Sequence, residues 1–274
     1  MSFELDAVEV RHGEARRALR AVSLSGRAGE QIAIIGPSGA GKTTLLRVLA
    51  TSLRPTAGRV SVLGTDPWQV PASRLRRLRS AIGMVHQTPP LPPRQRVIDA
   101  IIAGRLGQWP AWKSLLSLLY PMDIAGPRDA LARLDVAERL FDRCDRLSGG
   151  QLQRVAVARV LYQRPDLLLA DEPVSALDPT LADRVARELQ SESARRGISL
   201  VASLHAVDVA LRWFPRVVGL RDGIILFDGP PAAVSDRMLH NLYAAESAGA
   251  ERPASEPEAE VLTFRPSVRA SRTV

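Results

Sequence analysis

Residues 31–50 of the chain read QIAIIGPSGAGKTTLLRVLA, and this stretch decides the fold class. It opens with a short apolar run, Gln31–Ile35, whose length is typical of a buried strand. The segment from Gly36 to Thr43 then fits the pattern G-x-x-x-x-G-K-S/T, in which backbone N–H groups surround phosphate oxygens. Apolar residues recur at helical spacing over 43–53. A strand, a glycine-rich loop and a helix in this order predict a phosphate-binding α/β domain.

The residues of this loop suit a nucleoside triphosphate. Lys42 supplies positive charge for the β- and γ-phosphates, and the Thr43 hydroxyl can ligate Mg²⁺. The positive end of the following helix points at the same anion. A glycine-rich turn without a ligand is the alternative interpretation. The predicted phosphate-binding residues are Gly36, Pro37, Ser38, Gly39, Ala40, Gly41, Lys42, Thr43 and Thr44.

An acidic pair follows a second predicted strand. Residues 167–170 form a continuous apolar run, and Asp171 and Glu172 come directly after it. A buried strand that ends here would bring Asp171 to a Mg²⁺ ion beside the phosphate loop. Glu172 would then lie where it can activate a water for in-line attack on the γ-phosphate. An acidic pair alone is weak evidence, but behind a phosphate loop it predicts nucleotide hydrolysis.

A second potential anion site is the segment Leu147-Ser148-Gly149-Gly150-Gln151, at the start of a predicted helix over 151–162. A helix start with a hydroxyl and two glycines offers N–H donors and a positive dipole end. One chain cannot easily direct two such helix ends at one γ-phosphate, whereas two chains arranged head to tail can. The segment therefore predicts that the nucleotide is shared with a second copy of the chain.

These segments together resemble the ATP-binding subunits of ABC (ATP-binding-cassette) transporters, over about residues 3–244. The segment 147–151, with 153–159 behind it, is similar to the signature of that family. The resemblance implies ATP and Mg²⁺ as ligands, Thr43, Gln87 and Asp171 at the metal, and Glu172, His205 and Gln87 as catalytic residues. It also implies a loop that contacts the opposite subunit, formed by Ser175, Ala176, Leu177 and Asp178.

His12 departs from the family pattern. The family usually has an aromatic residue, most often tyrosine, where adenine stacks shortly after the first strand, and His12 is the nearest match here. Imidazole can stack, but it offers less area than a tyrosine ring. An exposed loop residue is the alternative interpretation of His12.

The predicted fold class is an α/β P-loop NTPase of ABC type, with a mixed, mainly parallel β core, an antiparallel β subdomain and a helical signature subdomain. The nucleotide-binding domain is predicted over residues 1–245, with the helical subdomain at about 88–163. Residues 246–274 are rich in Ala, Glu and Pro without periodicity, which predicts a disordered or loosely packed tail. Asp222-Gly223 predicts a hairpin turn. Further strands are predicted at 59–63, 82–85, 199–203, 217–220 and 224–227.

Composition and the N-terminal sequence bear on nucleic-acid binding, on membrane spans and on cellular location. The chain has 274 residues and a net charge of +8, which invites a nucleic-acid interpretation. Aromatic residues make up only 4%, however, so few are available for base stacking, and we predict no nucleic-acid partner. No apolar run reaches the roughly 18 residues of a membrane span. The N-terminus lacks the pattern of a signal peptide, and Cys144 is the single cysteine, so a cytosolic protein is predicted.

Several segments narrow the resemblance to the ATP-binding subunits of phosphonate importers. They are residues 103–107, Trp109, Trp112, 115–118, 203–210, 219–223 and 227–229. The resemblance implies uptake of a phosphonate or related phosphorus oxyanion through an integral-membrane permease, with an extracytoplasmic binding protein. It places the chain at the cytoplasmic face of the inner membrane. The alternatives are an importer ATPase for another substrate, a cytosolic ABC accessory protein of phosphonate metabolism, an exporter motor, or a soluble ABC protein of DNA repair or translation.

Overall fold

A computed structural model describes residues 1–12, 16–117 and 120–250 of the chain. The chain divides into two compact units, residues 1–243 and 244–274. In the second unit, the described residues 244–250 are helical, as part of a helix that ends at Ala250. Helical structure thus continues past the predicted domain boundary at residue 245. The rest of the predicted loosely packed tail, 251–274, lies outside the described residues.

Three strands form an antiparallel sheet: β1 (Phe3–His12), β2 (Arg16–Gly26) and β4 (Ala57–Val62), in the order β2-β1-β4. The central strand β1 pairs antiparallel with both neighbours. The register shifts between Leu5 and Val8, and Ala7 has a positive φ of 48°. These irregularities interrupt the period-two alternation by which a strand is located in a sequence. The sheet belongs to the predicted fold class, but β1 and β2 were not located in advance.

The larger sheet has the order β5-β6-β7-β3-β8-β9. Its first five strands run parallel, and β9 runs antiparallel to β8 across the turn at Asp222 and Gly223. Its strands are β3 (Gln31–Ile35), β5 (Ile82–Val85), β6 (Leu167–Asp171), β7 (Ser199–Ser203), β8 (Arg216–Arg221) and β9 (Ile224–Gly229). The carboxyl ends of the parallel strands share one edge, where ligands bind in open α/β sheets.

The helices complete the domain. They are α1 (Lys42–Leu49), α2 (Ala72–Ser80), α3 (Val97–Ile102), α4 (Ala111–Ser117), α5 (Ala125–Ala132), α6 (Gly149–Gln163), α7 (Pro179–Arg196), α8 (Val207–Trp213) and α9 (Asp236–Ala250). Helices α3 to α6 occupy the chain between β5 and β6. Helix α1 ends at Leu49 rather than at 53, because Thr51 adopts a positive φ of 56° and cannot continue the helix.

Two apolar cores cover the two faces of the larger sheet. On β3, Ile35 belongs to one core, together with side chains of α3, α5, α6 and α7. Its neighbour Ile34 belongs to the other core, together with α1 and the antiparallel sheet. Successive side chains of a strand point to opposite faces, so one buried strand feeds both cores. In the described part of the chain, no helix combines the length and apolar character needed to cross a bilayer.

Candidate functional site

The phosphate loop connects β3 to α1, and two of its positions require glycine. Gly36 has φ 153°, and a Cβ there would lie 1.9 Å from the carbonyl oxygen of Leu220. Gly41 has φ 107°, and a Cβ there would lie 2.5 Å from the carbonyl oxygen of Ala18. The Gly223 N–H donates to the Ala40 carbonyl at 3.0 Å, so the hairpin between β8 and β9 supports the loop. The motif glycines are therefore needed for close packing of backbone on backbone.

Lys42 is the first residue of α1 and is almost completely buried. Its Nζ donates to the carbonyl oxygens of Gly36 at 2.6 Å and Pro37 at 3.1 Å. The ammonium group therefore lies across the turn of its own loop. This position puts a positive charge beside backbone N–H groups of the kind that bind phosphate oxygens.

Asp171 joins three elements at the carboxyl edge of the sheet. It ends β6 and is 4% exposed. Its Oδ1 accepts a hydrogen bond from Thr43 Oγ1 at 3.1 Å and another from Ser203 Oγ at 2.7 Å. Ser203, the last residue of β7, was not among the predicted site residues. A hydroxyl at the end of a strand beside the acidic strand is the signal that could have identified it.

Glu172 has a strained backbone that its neighbours hold in place. Its φ is 45°, in the left-handed region that costs a residue other than glycine about 1–3 kcal/mol. Its N–H donates to Ser203 Oγ at 3.0 Å, and its carbonyl accepts from Ser175 Oγ at 3.1 Å. Its Oε2 accepts from Gln87 Nε2 at 2.7 Å. Backbone strain that surrounding bonds maintain is found at functional sites, and this residue also holds a bond from Gln87 at the cavity.

Lys42, Thr43 and Glu172 line a cavity of about 360 Å³, whose lining does not include Asp171. It brings together most of the predicted phosphate loop with Gln87 and Glu172, and adds Ala18 of β2, which sequence reasoning missed. The lining residues are Ala18, Ser38, Gly39, Ala40, Gly41, Lys42, Thr43, Thr44, Gln87 and Glu172.

His205 is not in the lining: it is exposed after the end of β7, and its side chain makes no hydrogen bond or ion pair with any described residue. The side chain of His12 lies outside the description.

The predicted signature segment forms the start of α6, away from this cavity. Ser148 caps the helix, with Gln151 N–H donating to Ser148 Oγ at 3.3 Å and Ser148 N–H donating to Gln151 Oε1 at 3.0 Å. A Cβ on Gly150 would lie 3.2 Å from Leu177 Cδ2, so the signature packs beside the predicted subunit-contact loop. Asp178 ends that loop by capping α7. The exposed residues of both segments therefore form one surface that a second molecule could contact.

His86 precedes Gln87 and is half-buried beside the site. Burial lowers the pKa of the imidazole below its ordinary value of 6.5. The carboxylate of Asp171 acts in the opposite direction, while Arg47 and Arg159 lower the pKa further. A neutral imidazole is therefore favoured beside Asp171 near neutral pH.

The oxygen donors of Thr43 and its partner Asp171 suit Mg²⁺. Within the part of the chain that the structure describes, no cluster of three or more His, Cys, Asp or Glu residues could hold a metal by itself. Mg²⁺ in phosphate-transfer sites is usually held by one or two carboxylates together with phosphate oxygens. The Thr43 hydroxyl and the Asp171 carboxylate, 3.1 Å apart, form a donor pair of this kind, with the amide of Gln87 on the same cavity.

The chain is similar to proteins of one known family over most of its length. The profile of the family described as "ABC transporter" matches residues 19–175. The chain is 66% identical over 248 residues to "Phosphonates import ATP-binding protein PhnC 1" of Cupriavidus necator, covering 90% of this chain and 89% of that protein. It is 61% identical over 259 residues to "Phosphonates import ATP-binding protein PhnC 2" of Pseudomonas aeruginosa, covering 94% of this chain and 97% of that protein.

Solved structures with the same fold include the ATP-binding cassette MJ0796. In a dimeric post-hydrolysis state bound to ADP and phosphate, that cassette matches with a TM-score of 0.72 and 27% identity, covering 84% of this chain and 98% of that one. A second dimeric structure of the same cassette has a TM-score of 0.74 and 26% identity over the same shares of the two chains. The predicted fold class is confirmed.

Proposed function

The chain belongs to the ABC transporter family, and from that membership we propose that it is the ATP-hydrolysing subunit of a phosphonate importer. One observation supports ATP hydrolysis: Lys42, Thr43, Gln87 and Glu172 line the same cavity. The observation that supports the substrate is the identity of 61–66%, over about nine-tenths of both chains, to proteins named for phosphonate import.

In the proposed reaction, the phosphate loop binds the ATP phosphates and Glu172 acts on the attacking water. Thr43, Asp171 and Gln87 are the residues that would hold Mg²⁺. The ion would neutralise charge on the phosphate oxygens. Glu172 orients and polarises the water for in-line attack on the γ-phosphate, and the bond from Gln87 holds its carboxylate at the cavity. His205, which follows β7, is proposed to approach the γ-phosphate when nucleotide is bound.

The proposed site is completed by a second copy of the chain. Ser148 and Gly150 do not line the cavity that contains Lys42, although they belong to a capped helix start of the kind that can bind anions. This surface therefore supports contact with a nucleotide held by another subunit, and the loop 175–178 beside it would contact the same subunit. The dimeric state of the related cassette is consistent with such an arrangement.

A membrane permease is the second proposed partner. Exposed apolar side chains concentrate on one segment of the chain: Trp112, Leu115, Leu116, Tyr120, Met122 and Ile124. Leu115 also lines an open cavity of about 1430 Å³, together with Trp109 of the same segment and with Arg76 and Arg77 of α2. Clustered apolar side chains at a surface mark contact with another molecule. We assign this surface to the permease, which would hold the chain at the cytoplasmic face of the inner membrane and receive substrate from an extracytoplasmic binding protein.

Gene deletion tests the proposed substrate. A strain without this gene should fail to grow on a phosphonate as sole phosphorus source and should grow normally on phosphate. A plasmid copy of the wild-type gene should restore growth, and a copy carrying Glu172→Gln should not. Unimpaired growth of the deletion strain on every phosphonate that its parent uses would contradict phosphonate import. If accumulation of labelled phosphonate is normal but its breakdown fails, the accessory role in phosphonate metabolism would be favoured instead.

A further inference from the structure

Gln153 connects the signature helix to both loops that carry the catalytic side chains. It lies in the second turn of α6 and is 1% exposed. Its Nε2 donates to the carbonyl oxygen of His86 at 3.3 Å and to that of Pro173 at 3.2 Å. His86 is the residue before Gln87, and Pro173 is the residue after Glu172. One buried amide therefore holds the backbone on both sides of the contact between Gln87 and Glu172.

The other end of this connection reaches the surface proposed to face a second subunit. The side chain of Gln151 closes the helix cap with Ser148, and Gln153 follows two residues later on the same rigid helix. A rotation or shift of α6 would move the Gln153 amide with it. Because the amide bonds both loops, the shift would change the separation of Gln87 and Glu172.

The Gln153 side chain leaves one hydrogen-bonding group unused within the described part of the chain, and this leaves the side chain freer to move. Its Oε1 is buried and has no hydrogen-bond partner among the described residues. A buried acceptor without a partner costs stability, so the polar side chain is not the most stable choice for this position. Because no bond from Oε1 ties the amide to another described residue, the amide can follow α6 when the helix moves and carry both loops with it.

We propose that Gln153 is a positioning residue that couples the two nucleotide sites of the dimer. Contact of the signature with the nucleotide of one site moves α6, and Gln153 transmits that movement to Gln87 and Glu172 of the other site. The inference rests on the proposed function, because it requires a composite site shared by two subunits.

Gln163 provides a matched control on the same helix. Its Nε2 also donates to two backbone carbonyls, Ser80 at 3.1 Å and Ile82 at 2.8 Å. Ser80 is the last residue of α2 and Ile82 the first of β5, so both carbonyls lie away from the two loops that carry Gln87 and Glu172. Gln163→Met therefore removes the same kind of bond from the same helix without touching the proposed connection, while Gln153→Met removes the connection.

The experiment compares the full-length wild type, Gln153→Met and Gln163→Met. ATPase rate is measured against MgATP concentration, and nucleotide affinity of the monomer is measured separately by titration with a fluorescent ATP analogue. We expect a wild-type Hill coefficient above one. Gln153→Met should bind the analogue like wild type, lose about tenfold or more in kcat, and show a Hill coefficient near one. Gln163→Met should keep the wild-type kcat and Hill coefficient.

Two results from the variants would overturn the inference while leaving the proposed function intact. One is a Gln153→Met protein with wild-type kcat and cooperativity. The other is an equal loss in Gln163→Met, which would show that weakened attachment of α6 is sufficient. A wild type that hydrolyses ATP without cooperativity would remove the coupling itself, and a wild type without ATPase activity would contradict the proposed function.

Discussion

The side-chain amide of Gln87 donates to the carboxylate of Glu172 at 2.7 Å, across a separation of 85 residues in the sequence. The two residues follow β5 and β6, which are adjacent parallel strands, so the sheet brings them to one edge. The bond occupies one oxygen of the proposed catalytic carboxylate. Because Gln87 is also a proposed ligand of Mg²⁺, nucleotide binding should draw the amide toward the metal and make this oxygen available to a water molecule.

Lys42→Ala should weaken ATP binding by about 10–100-fold, since a hydrogen bond to a charged group contributes about 1.5–3 kcal/mol. The same variant should lose nearly all hydrolysis, because the charge beside the phosphate loop is removed. Isothermal titration with MgATP and a phosphate-release assay measure the two effects. Lys113→Ala is the matched control: it removes the other lysine of the chain, which lies 4.3 Å from the centre of the Trp109 ring, outside the site. Hydrolysis by Lys42→Ala at the wild-type rate would show that the phosphate loop is misassigned.

The buried parallel strands were the part of the fold that the sequence predicted best. Strands β5 and β7 have the predicted bounds, because strands buried on both faces contain nearly continuous apolar runs, and in β7 this run is flanked by Ser199 and Ser203. Strands β1 and β2 were not located. The positive φ of Ala7 and of Ala21, with the shifts of register along β1, breaks the alternation that would have marked them.

In the candidate site too, some residues were predicted from the sequence and others were not. The phosphate loop and the acidic pair are continuous in sequence, so a pattern finds them, and the structure brings Thr43 within 3.1 Å of Asp171. Ser203 and the bonding role of Gln153 were missed because their partners depend on strand order and on backbone carbonyls, which no spacing of side chains encodes. The catalytic roles, and the proximity of His205 to the γ-phosphate, stay predictions.

Stability should fall as the pH falls below about 6.5, and His86 should account for part of the loss. Its pKa is lower in the folded chain because of burial, so the unfolded chain binds more protons in the window below 6.5. Above that window the His86 imidazole is neutral in both the folded and the unfolded chain, so it no longer lowers the free energy of unfolding. Urea unfolding between about pH 7.5 and about pH 5.5 should show a smaller decline for His86→Gln than for wild type.

The loss of stability caused by His86 can be distinguished from the loss caused by protonation of the carboxylates. Burial raises the pKa of Glu192, but hydrogen bonds from Arg195 and Arg133 outweigh it, so its pKa lies below the ordinary value of 4.5. A group with a depressed pKa loses its stabilising effect only as the pH falls toward and below 4.5. Parallel curves for wild type and His86→Gln across the higher window would refute the role of His86.

Arg133→Ala should destabilise the fold by about 1–3 kcal/mol, the cost of leaving a buried charged group short of a partner. Arg133, which follows α5, bonds Glu188 at 2.8 Å and Glu192 at 3.0 Å on α7, and Glu192 is only 1% exposed. The control Arg59→Ala breaks an exposed pair with Asp6 and should cost at most about 1 kcal/mol. Denaturant unfolding measures the loss in free energy of unfolding for both variants. Equal losses would contradict the role of Arg133 in connecting α5 to α7.

The composite site makes the most direct prediction about mechanism. Glu172→Gln preserves the size of the side chain but removes the carboxylate that would polarise water. We therefore expect this variant to bind MgATP, to hydrolyse it at least about a hundredfold more slowly than wild type, and to accumulate as a dimer. Wild type at the same concentration should be largely monomeric, because hydrolysis would remove the phosphate that is proposed to join the two helix ends. Size-exclusion chromatography with light scattering, with and without MgATP, measures the dimer.

Adding Ser148→Arg to Glu172→Gln tests which surface completes the site. Ser148 is exposed at the start of α6 and outside the cavity lining, so arginine there should crowd the nucleotide of a partner without disturbing the phosphate loop of its own chain. The double variant should bind MgATP with the affinity of Glu172→Gln and remain monomeric. A double variant that still dimerises would exclude the signature segment as the partner surface. A Glu172→Gln protein that stays monomeric with nucleotide bound would contradict an ATP-bridged dimer of the isolated chain, because the helix ends would then meet no shared phosphate.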